Sequence, residues 1–179
     1  MQFIVVRHAA TEYNEKELIN GSLDDDGLSA KGLAQIDSII TNLADYSFEA
    51  MYTSPMHRSI QTAMPIAVHY DVELRQDPRI SEVNLGSFNG QGWDSTIPDF
   101  GMNSSQLLST CEYDFTPYGG ESCDDTRARV QAFLDDLRKR PNETPLIVSH
   151  GGIMRWFYYL CTGEKVGRIP NASVHTFTL

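Results

Sequence analysis

Hydrophobic positions along the chain alternate between two patterns. Unbroken apolar runs at residues 3–6 and 146–148 are typical of strands buried on both faces of a parallel sheet. Residues 50–53 are a shorter strand candidate, and residues 174–179 alternate as a last strand. Stretches of helical periodicity lie between them. This alternation predicts a three-layer α/β sandwich with a mostly parallel central sheet and helices on both faces.

Two helices are predicted in the first half of the chain. Ser29 is a good N-cap for the first helix, and a second helix is predicted from about Met56. Pro65 should end or kink the second helix, because proline has no amide hydrogen to donate. The predicted inward faces carry Leu33, Ile36, Ile40 and Leu43 in the first helix and Ile60, Met64 and Ala67 in the second.

Two further helices are predicted in the second half. Ser122 and Asp125 have the spacing of a capping box, and Pro141 should stop the helix that they introduce. A last helix is predicted after Gly151, reaching Leu160. The expected buried face of the capped helix comprises Val130, Phe133, Leu134 and Leu137.

Residues 89–118 show little periodicity and many helix and strand breakers. A short helix around residues 106–109 fits there, and aromatic side chains are frequent. Long irregular stretches inside compact domains are often functional loops. Two interpretations stay open: a surface excursion that packs its own aromatic residues, and a loop that gates access to a substrate.

Length and charge narrow the function classes. A chain of 179 residues predicts a single domain over residues 1–179, and a net charge of −10 makes it a poor general binder of nucleic acid or anionic membrane. No stretch is long enough for a membrane helix, and the N-terminal apolar run is too short for a signal peptide. Three cysteines without CxxC spacing argue against a disulfide framework or structural zinc. The chain is expected to be cytoplasmic, and its oligomeric state is not predicted.

Cationic side chains collect where the predicted strands end. Arg7 and His8 follow the first strand, His150 follows the strand at residues 146–148, and Arg58 follows the strand at residues 50–53. Because parallel strands present their carboxyl ends at one edge of a sheet, these groups should lie together. Paired arginine donors match phosphate oxygens. The pattern predicts a phosphate or other oxyanion pocket.

Phosphoryl transfer at such a pocket needs a nucleophile and a proton donor. A neutral imidazole nitrogen can attack phosphorus without a metal, and a carboxylic acid kept protonated by burial or by the dianionic substrate can protonate the leaving oxygen. Glu82 lies in an apolar setting and is the candidate acid. Asn14, shortly after His8, is a candidate neutral donor.

Several ordered motifs resemble the histidine phosphatase superfamily, also called the phosphoglycerate mutase-like family. Residues 7–14 resemble its Arg-His-Gly signature, and residues 54–63 resemble its Ser-Pro-x-x-Arg-x-x-Gln-Thr-Ala motif. Further blocks fit at residues 20–21, 28–32, 82–90, 119–122 and 149–152. The resemblance spans nearly the whole chain, and several motifs in the right order are far more specific than one Arg-His pair.

The resemblance implies a phosphoric monoester hydrolase of the phosphoglycerate mutase-like fold, acting on a small phosphorylated metabolite with no metal or organic cofactor. His8 would be the nucleophile, and Glu82 would be the general acid that later helps to activate water. The phosphate would be held by Arg7, Arg58 and His150, with help from Asn14 and the Gly151 amide. Asn20 and Gly21 would contact the rest of the substrate.

One departure from the family motif falls beside the nucleophile. Position 9 is Ala9, where glycine is usual, and alanine disfavours a positive φ. The change is harmless if the backbone there is ordinary, and it distorts the pocket if not. Two other departures are less critical. Position 10 is Ala10, where glutamate or glutamine is more common, and position 89 is Asn89, where glutamate is frequent.

Other functions compete with hydrolysis. Cofactor-dependent mutases share these motifs but have insertions and a C-terminal cover over the site, and a chain ending soon after its last strand favours hydrolysis. A metal-dependent hydrolase would use His8, His150 and Glu82 as ligands, without the usual HxH or HxxxH spacing. A non-catalytic phospho-ligand binding protein is the third alternative.

Overall fold

The computed structural model describes residues 1–23, 26–97 and 99–179. Strands of the main sheet in that part of the chain are β1 (Gln2–Arg7), β2 (Ala50–Thr53), β3 (Leu74–Gln76), β6 (Pro145–Ser149) and β7 (Val174–Thr178). Their order across the sheet is β3-β2-β6-β1-β7. All neighbouring pairs are parallel except β1 with β7, which confirms the predicted mostly parallel sheet.

Helices cover both faces of this sheet. One side carries α2 (Ala30–Asn42) and α3 (His57–Tyr70), and the other carries α5 (Cys123–Arg138) and α6 (Gly151–Thr162). Side chains of β1 alternate between the two resulting cores, with Phe3 and Val5 on the α5–α6 side and Ile4 and Val6 on the α2–α3 side. The predicted three-layer sandwich is therefore confirmed.

Local capping chemistry places two helix starts where the sequence predicts them. The Ser29 hydroxyl accepts the amide hydrogen of Gly32 at 3.1 Å. Ser122 and Asp125 form both bonds of a capping box, and the face that follows buries all four predicted residues of α5. These bonds satisfy amides that a helix start would otherwise leave without acceptors.

The predicted inward face of α2 is partly wrong. Leu33 is 58% exposed, whereas Ile36 and Ile39 are buried. Gly32 explains the rotation, because a β-carbon there would lie 2.0 Å from the carbonyl oxygen of Ala10. The glycine side of α2 therefore abuts the chain after β1, and residues four and seven positions later face inward with it.

One prediction for α3 is wrong as well, since Met64 on the predicted apolar side is 50% exposed. The helix continues through Pro65, so of the two predicted effects of the proline, ending the helix does not occur and a kink stays a prediction. Tertiary packing outweighs the lost hydrogen bond, since Ala63 and Ile66 beside the proline are fully buried. The buried side of α3 carries polar groups toward the ends of the strands, and these include Arg58, Ser59 and Thr62.

Short elements that the sequence did not predict complete the chain. They are α1 (Glu12–Glu15), β3, and the two-residue strands β4 (Thr96–Ile97) and β5 (Met102–Asn103). The helix expected around residues 106–109 is α4 (Ser104–Thr110), which Asn103 caps. Elements this short contain too few residues for a periodic pattern.

Candidate active site

The carboxyl ends of β1 and β6 set two histidines side by side. The β1–β6 register pairs Arg7 with Ser149, and the amide of His8 donates to the carbonyl of Ser149 at 2.9 Å. His8 follows directly after β1 and His150 directly after β6, and their ring centroids lie 5.1 Å apart. Both side chains are buried. The parallel register therefore produces the juxtaposition that the sequence predicts.

The His8 ring is held in one tautomer. Its Nδ1 lies 2.8 Å from the carbonyl oxygen of Ala9, and because a carbonyl only accepts hydrogen bonds, Nδ1 must carry the hydrogen. Burial, followed by the positive charges of Arg58 and Arg7, lowers the pKa of His8 well below 6.5. At neutral pH the ring is therefore uncharged, and Nε2 keeps a lone pair.

His150 is buried without hydrogen-bond partners. It occupies the N-cap position of α6, and in the described part of the chain neither ring nitrogen finds a protein donor or acceptor. Burial, followed by the nearby Arg58, lowers the pKa of His150 well below 6.5. Buried polar atoms without protein partners are uncommon in native structures, and they mark positions where a ligand can bind.

Arg58 begins α3 and is fully buried. Its guanidinium donates to the Asn20 side-chain oxygen at 3.1 Å, the Asn20 carbonyl at 3.1 Å and the Gly21 carbonyl at 3.0 Å. Asn20 in turn donates to Thr11 and Asp26. Asn20 and Gly21, predicted to contact substrate, thus form the support that orients Arg58.

Arg7 points into the same region. One of its terminal nitrogens donates to the carbonyl of Ile169, whereas its Nε has no partner among the described residues. Burial lowers the pKa of Arg7 to about 10, although the nearby carboxylate of Glu82 acts in the opposite direction. Even at that pKa the side chain is cationic at neutral pH.

Glu82 is fixed by backbone amides. One carboxylate oxygen accepts from Val83 at 2.9 Å, and the other accepts from Gly152 at 3.2 Å. Gly152 has to be glycine here, because a β-carbon would lie 2.3 Å from the Glu82 carboxylate. The Gly-Gly start of α6 therefore gives the carboxylate close access to the first turn of the helix.

A cavity of about 130 Å³ opens beside these groups. Among its lining residues are Arg7, Asn14, Glu82 and Gly151, four of the predicted site residues. The remaining lining residues are Trp93, Asp94, Ser105, Gly152, Arg155, Arg168 and Ile169. His8, Arg58 and His150 are not among the lining residues and are at most 2% exposed.

Ala9, the departure from the family motif, has an ordinary backbone. It is not among the described non-glycine residues with positive φ. Its amide donates to the Thr62 hydroxyl at 3.0 Å, and its side chain packs in the core beside α2 and α3. The condition under which alanine would be harmless is met.

Sequence reasoning missed two groups at the site. The side-chain amide of Asn171 donates to the carbonyl of His8 at 3.1 Å and to the side-chain oxygen of Asn14 at 2.9 Å, so it ties the loop after β1 to the chain before β7. Arg155 reaches the cavity from α6. A lone arginine in an otherwise apolar helix, four residues after Gly151, was a signal for the second group, whereas none marked Asn171.

Comparison with known proteins shows to which family this chain belongs. The model of the histidine phosphatase superfamily (branch 1) matches residues 3–179. The chain belongs to that superfamily. Its relatives include phosphoserine phosphatase 1 of Hydrogenobacter thermophilus, 30% identical over 169 residues, which cover 94% of this chain and 79% of the relative. The chain is a phosphatase of the histidine phosphatase type, a phosphoric monoester hydrolase.

A plant relative and a solved structure extend the comparison. The metal-independent phosphoserine phosphatase of Arabidopsis thaliana is 30% identical over 182 residues, covering 99% of this histidine phosphatase and 76% of the relative. The crystal structure of phosphoglycerate mutase from Bacillus anthracis superposes with a TM-score of 0.84 over 98% of this chain and 86% of that one. At 23% identity, the second comparison supports the fold.

Within residues 1–23, 26–97 and 99–179, no set of three or more His, Cys, Asp or Glu side chains is grouped to hold a metal ion. In the same ranges, none of the helices has the length and apolar character needed to cross a bilayer.

Proposed function

We propose that this protein hydrolyses a small phosphomonoester through a phosphohistidine formed at His8, without a metal. The observation that carries the proposal is the neutral, oriented His8 ring, whose Nε2 keeps its lone pair and which feels the positive charges of Arg58 and Arg7. Attack by Nε2 forms the N–P bond as the P–O ester bond breaks. Glu82 gives its proton to the leaving oxygen.

Hydrolysis of the phosphohistidine completes the cycle. The Glu82 carboxylate takes a proton from water as the water oxygen attacks phosphorus, so that the N–P bond breaks and inorganic phosphate leaves. Arg7, Arg58 and His150 would hold the phosphate oxygens, and the two buried guanidinium charges match the charge of a phosphate dianion. Asn14 and the Gly151 amide would add neutral donors.

The substrate that the relatives suggest is phosphoserine, because two of them carry the name phosphoserine phosphatase. We take phosphoserine as the first candidate among small phosphorylated metabolites. Transfer to a second acceptor and binding without turnover are the alternatives that these names do not favour. The excursion at residues 89–118 gates the site in our proposal, since Trp93, Asp94 and Ser105 line the cavity.

The decisive experiment measures phosphate release from phosphoserine in EDTA, together with the mass of the acid-quenched protein. We expect wild type to turn over and to show a phosphoryl adduct on the peptide containing His8. His8→Ala should lose at least about a thousandfold in kcat, whereas His69→Ala, at an exposed position of α3, should behave as wild type. Near-normal activity of His8→Ala, or abolition of wild-type activity by EDTA, would contradict the proposal.

A further inference from the structure

Arg155 lies one helical turn beyond the phosphate end of the site. It is on α6, four residues after Gly151, and therefore shares a face with that glycine. Helical side chains lean toward the N-terminus of their helix, which directs the Arg155 side chain toward the end of α6 that carries Gly151. Arg155 accordingly lines the cavity together with Glu82 and Arg7.

The Arg155 side chain is buried and forms no salt bridge with a described residue, although the carboxylate of Glu82 acts to raise the pKa that burial lowers. The side chain is 4% exposed, and its Nε donates to the carbonyl of Gly167 at 3.1 Å. Across the part of the chain that the structure describes, its terminal nitrogens have no hydrogen-bond partner and it takes part in no ion pair. Burying a cation in this way is costly unless something else pairs with it.

The cavity is lined by three arginines, Arg7, Arg155 and Arg168, and by two carboxylates, Glu82 and Asp94. In the proposed mechanism, Arg7 and Arg58 hold the phosphate dianion and Glu82 delivers a proton to the leaving oxygen. Among the described residues Arg155 makes a salt bridge with neither carboxylate, so its terminal nitrogens are available to an anionic group on the part of the substrate that leaves.

We propose that Arg155 binds a carboxylate of the substrate, which makes this enzyme selective for small phosphorylated hydroxy or amino acids. This inference rests on the proposed function and adds the group that the enzyme recognises beyond the phosphate. A planar guanidinium with two free terminal nitrogens matches a carboxylate in a bidentate manner. The cavity of about 130 Å³, which Arg7 and Arg155 both line, is of a size that suits a small acid.

A purely structural role for Arg155 would leave its two terminal nitrogens unexplained. The bond to Gly167 uses one of the five donors of the guanidinium and steadies the segment before β7. Arg168, which lines the same cavity, differs in being exposed and ion-paired with Glu17 at 3.5 Å. Of these two arginines, Arg155 is the buried one, and its terminal nitrogens have no hydrogen-bond partner among the described residues.

The test compares two esters that differ only in the carboxylate, phosphoserine and phosphoethanolamine. Wild type should prefer phosphoserine by at least about tenfold in kcat/KM. Arg155→Met should lower kcat/KM for phosphoserine roughly tenfold to a hundredfold while leaving phosphoethanolamine within about threefold. Arg155→Lys keeps the positive charge but loses the planar pair of donors. Its kcat/KM for phosphoserine should therefore lie between the values of wild type and Arg155→Met.

Arg127→Met is the matched control, because Arg127 is an exposed arginine of α5 that pairs with Asp124. It should leave both esters unchanged. Equal losses on both esters in Arg155→Met and Arg155→Lys would show that Arg155 only supports the fold, and would overturn the inference. So would a wild type that hydrolyses both esters equally.

If the proposed function is wrong, neither ester releases phosphate. The binding of each ester to the protein then tests the role of Arg155 separately. Thermal unfolding of His8→Ala with each ester should show a larger upward shift with phosphoserine, and adding Arg155→Met should remove the difference. Equal shifts with both esters would overturn the role of Arg155. Wild-type-like unfolding of Arg155→Met without ligand confirms that the variant is folded.

Discussion

Two regions of the molecule are positioned by different kinds of interaction. One is the strand-end pocket, formed by Arg7, His8, Arg58 and His150, and the other is the excursion at residues 89–118. The pocket is positioned by the backbone register of a buried parallel sheet. The excursion is positioned by aromatic side chains instead, with Tyr118 packed on Phe88 at 4.6 Å between ring centroids. Its strands β4 and β5 have two residues each.

In the proposed function this difference separates the chemical step from substrate selection. The groups at the strand ends are buried, which suits the proposed nucleophilic attack and charge stabilisation. The excursion contributes Trp93, Asp94 and Ser105 to the lining of the cavity, where we expect changes in sequence to alter the substrate without altering the reaction. Its aromatic residues also join the main core, as Phe115 is fully buried, so it is more than a surface flap.

Removing the proton donor is expected to have the largest effect. Glu82→Gln keeps the shape of the side chain and should lower kcat for an alkyl ester such as phosphoserine by about a hundredfold or more. An activated aryl phosphate, whose leaving group needs no proton, should lose less than about tenfold. Steady-state kinetics on both esters measures this contrast. Equal losses would remove Glu82 from the role of general acid.

The second prediction concerns acid stability and the desolvated histidines. His8 and His150 have pKa values well below 6.5 in the folded protein, so the unfolded chain binds more protons as the pH falls through 6.5. Stability from these histidines is complete above pH 6.5 and is lost below it, by up to about 2.7 kcal/mol per pH unit for two groups. Urea unfolding between pH 7 and 5.5 measures the slope.

Two variants make the pH measurement specific to the strand-end pocket. His8→Gln should remove about half of the slope that these two histidines cause, and His8→Gln with His150→Gln should remove that part entirely, because each substitution deletes one proton-binding group. A smaller slope should remain from His175, whose pKa is also lowered by burial. Unchanged slopes in both variants would show that the histidines are not the source. Burial of His8 and His150 would then not lower their pKa values as we expect.

The smallest expected effect is in the excursion. Trp93→Ala removes part of the cavity wall and should raise KM for phosphoserine by roughly threefold to tenfold, with kcat within about twofold, because Trp93 touches no reacting atom in our mechanism. Ser95→Ala, just outside the cavity lining, is the control. A loss of kcat comparable to that of Glu82→Gln would erase the division between the two regions.

Much of the fold was predictable because it rests on local patterns. Strands buried on both faces read as apolar runs, and the Ser29 and Ser122 caps depend on residues only three positions away. The inward faces of α2 and α3 were not predictable in the same way. Gly32 turns α2 through a contact with Ala10, and such a contact between distant segments leaves no periodic signal.

The same distinction divides the site. The sequence by itself determined that Arg7, His8 and His150 would meet, because parallel strands bring their carboxyl ends to one edge. Only the tertiary structure decided that Asn20 supports Arg58, that Gly152 admits Glu82, and that Arg155 is buried beside the cavity. Those facts depend on distances between segments far apart in the chain, which packing sets and residue spacing does not encode.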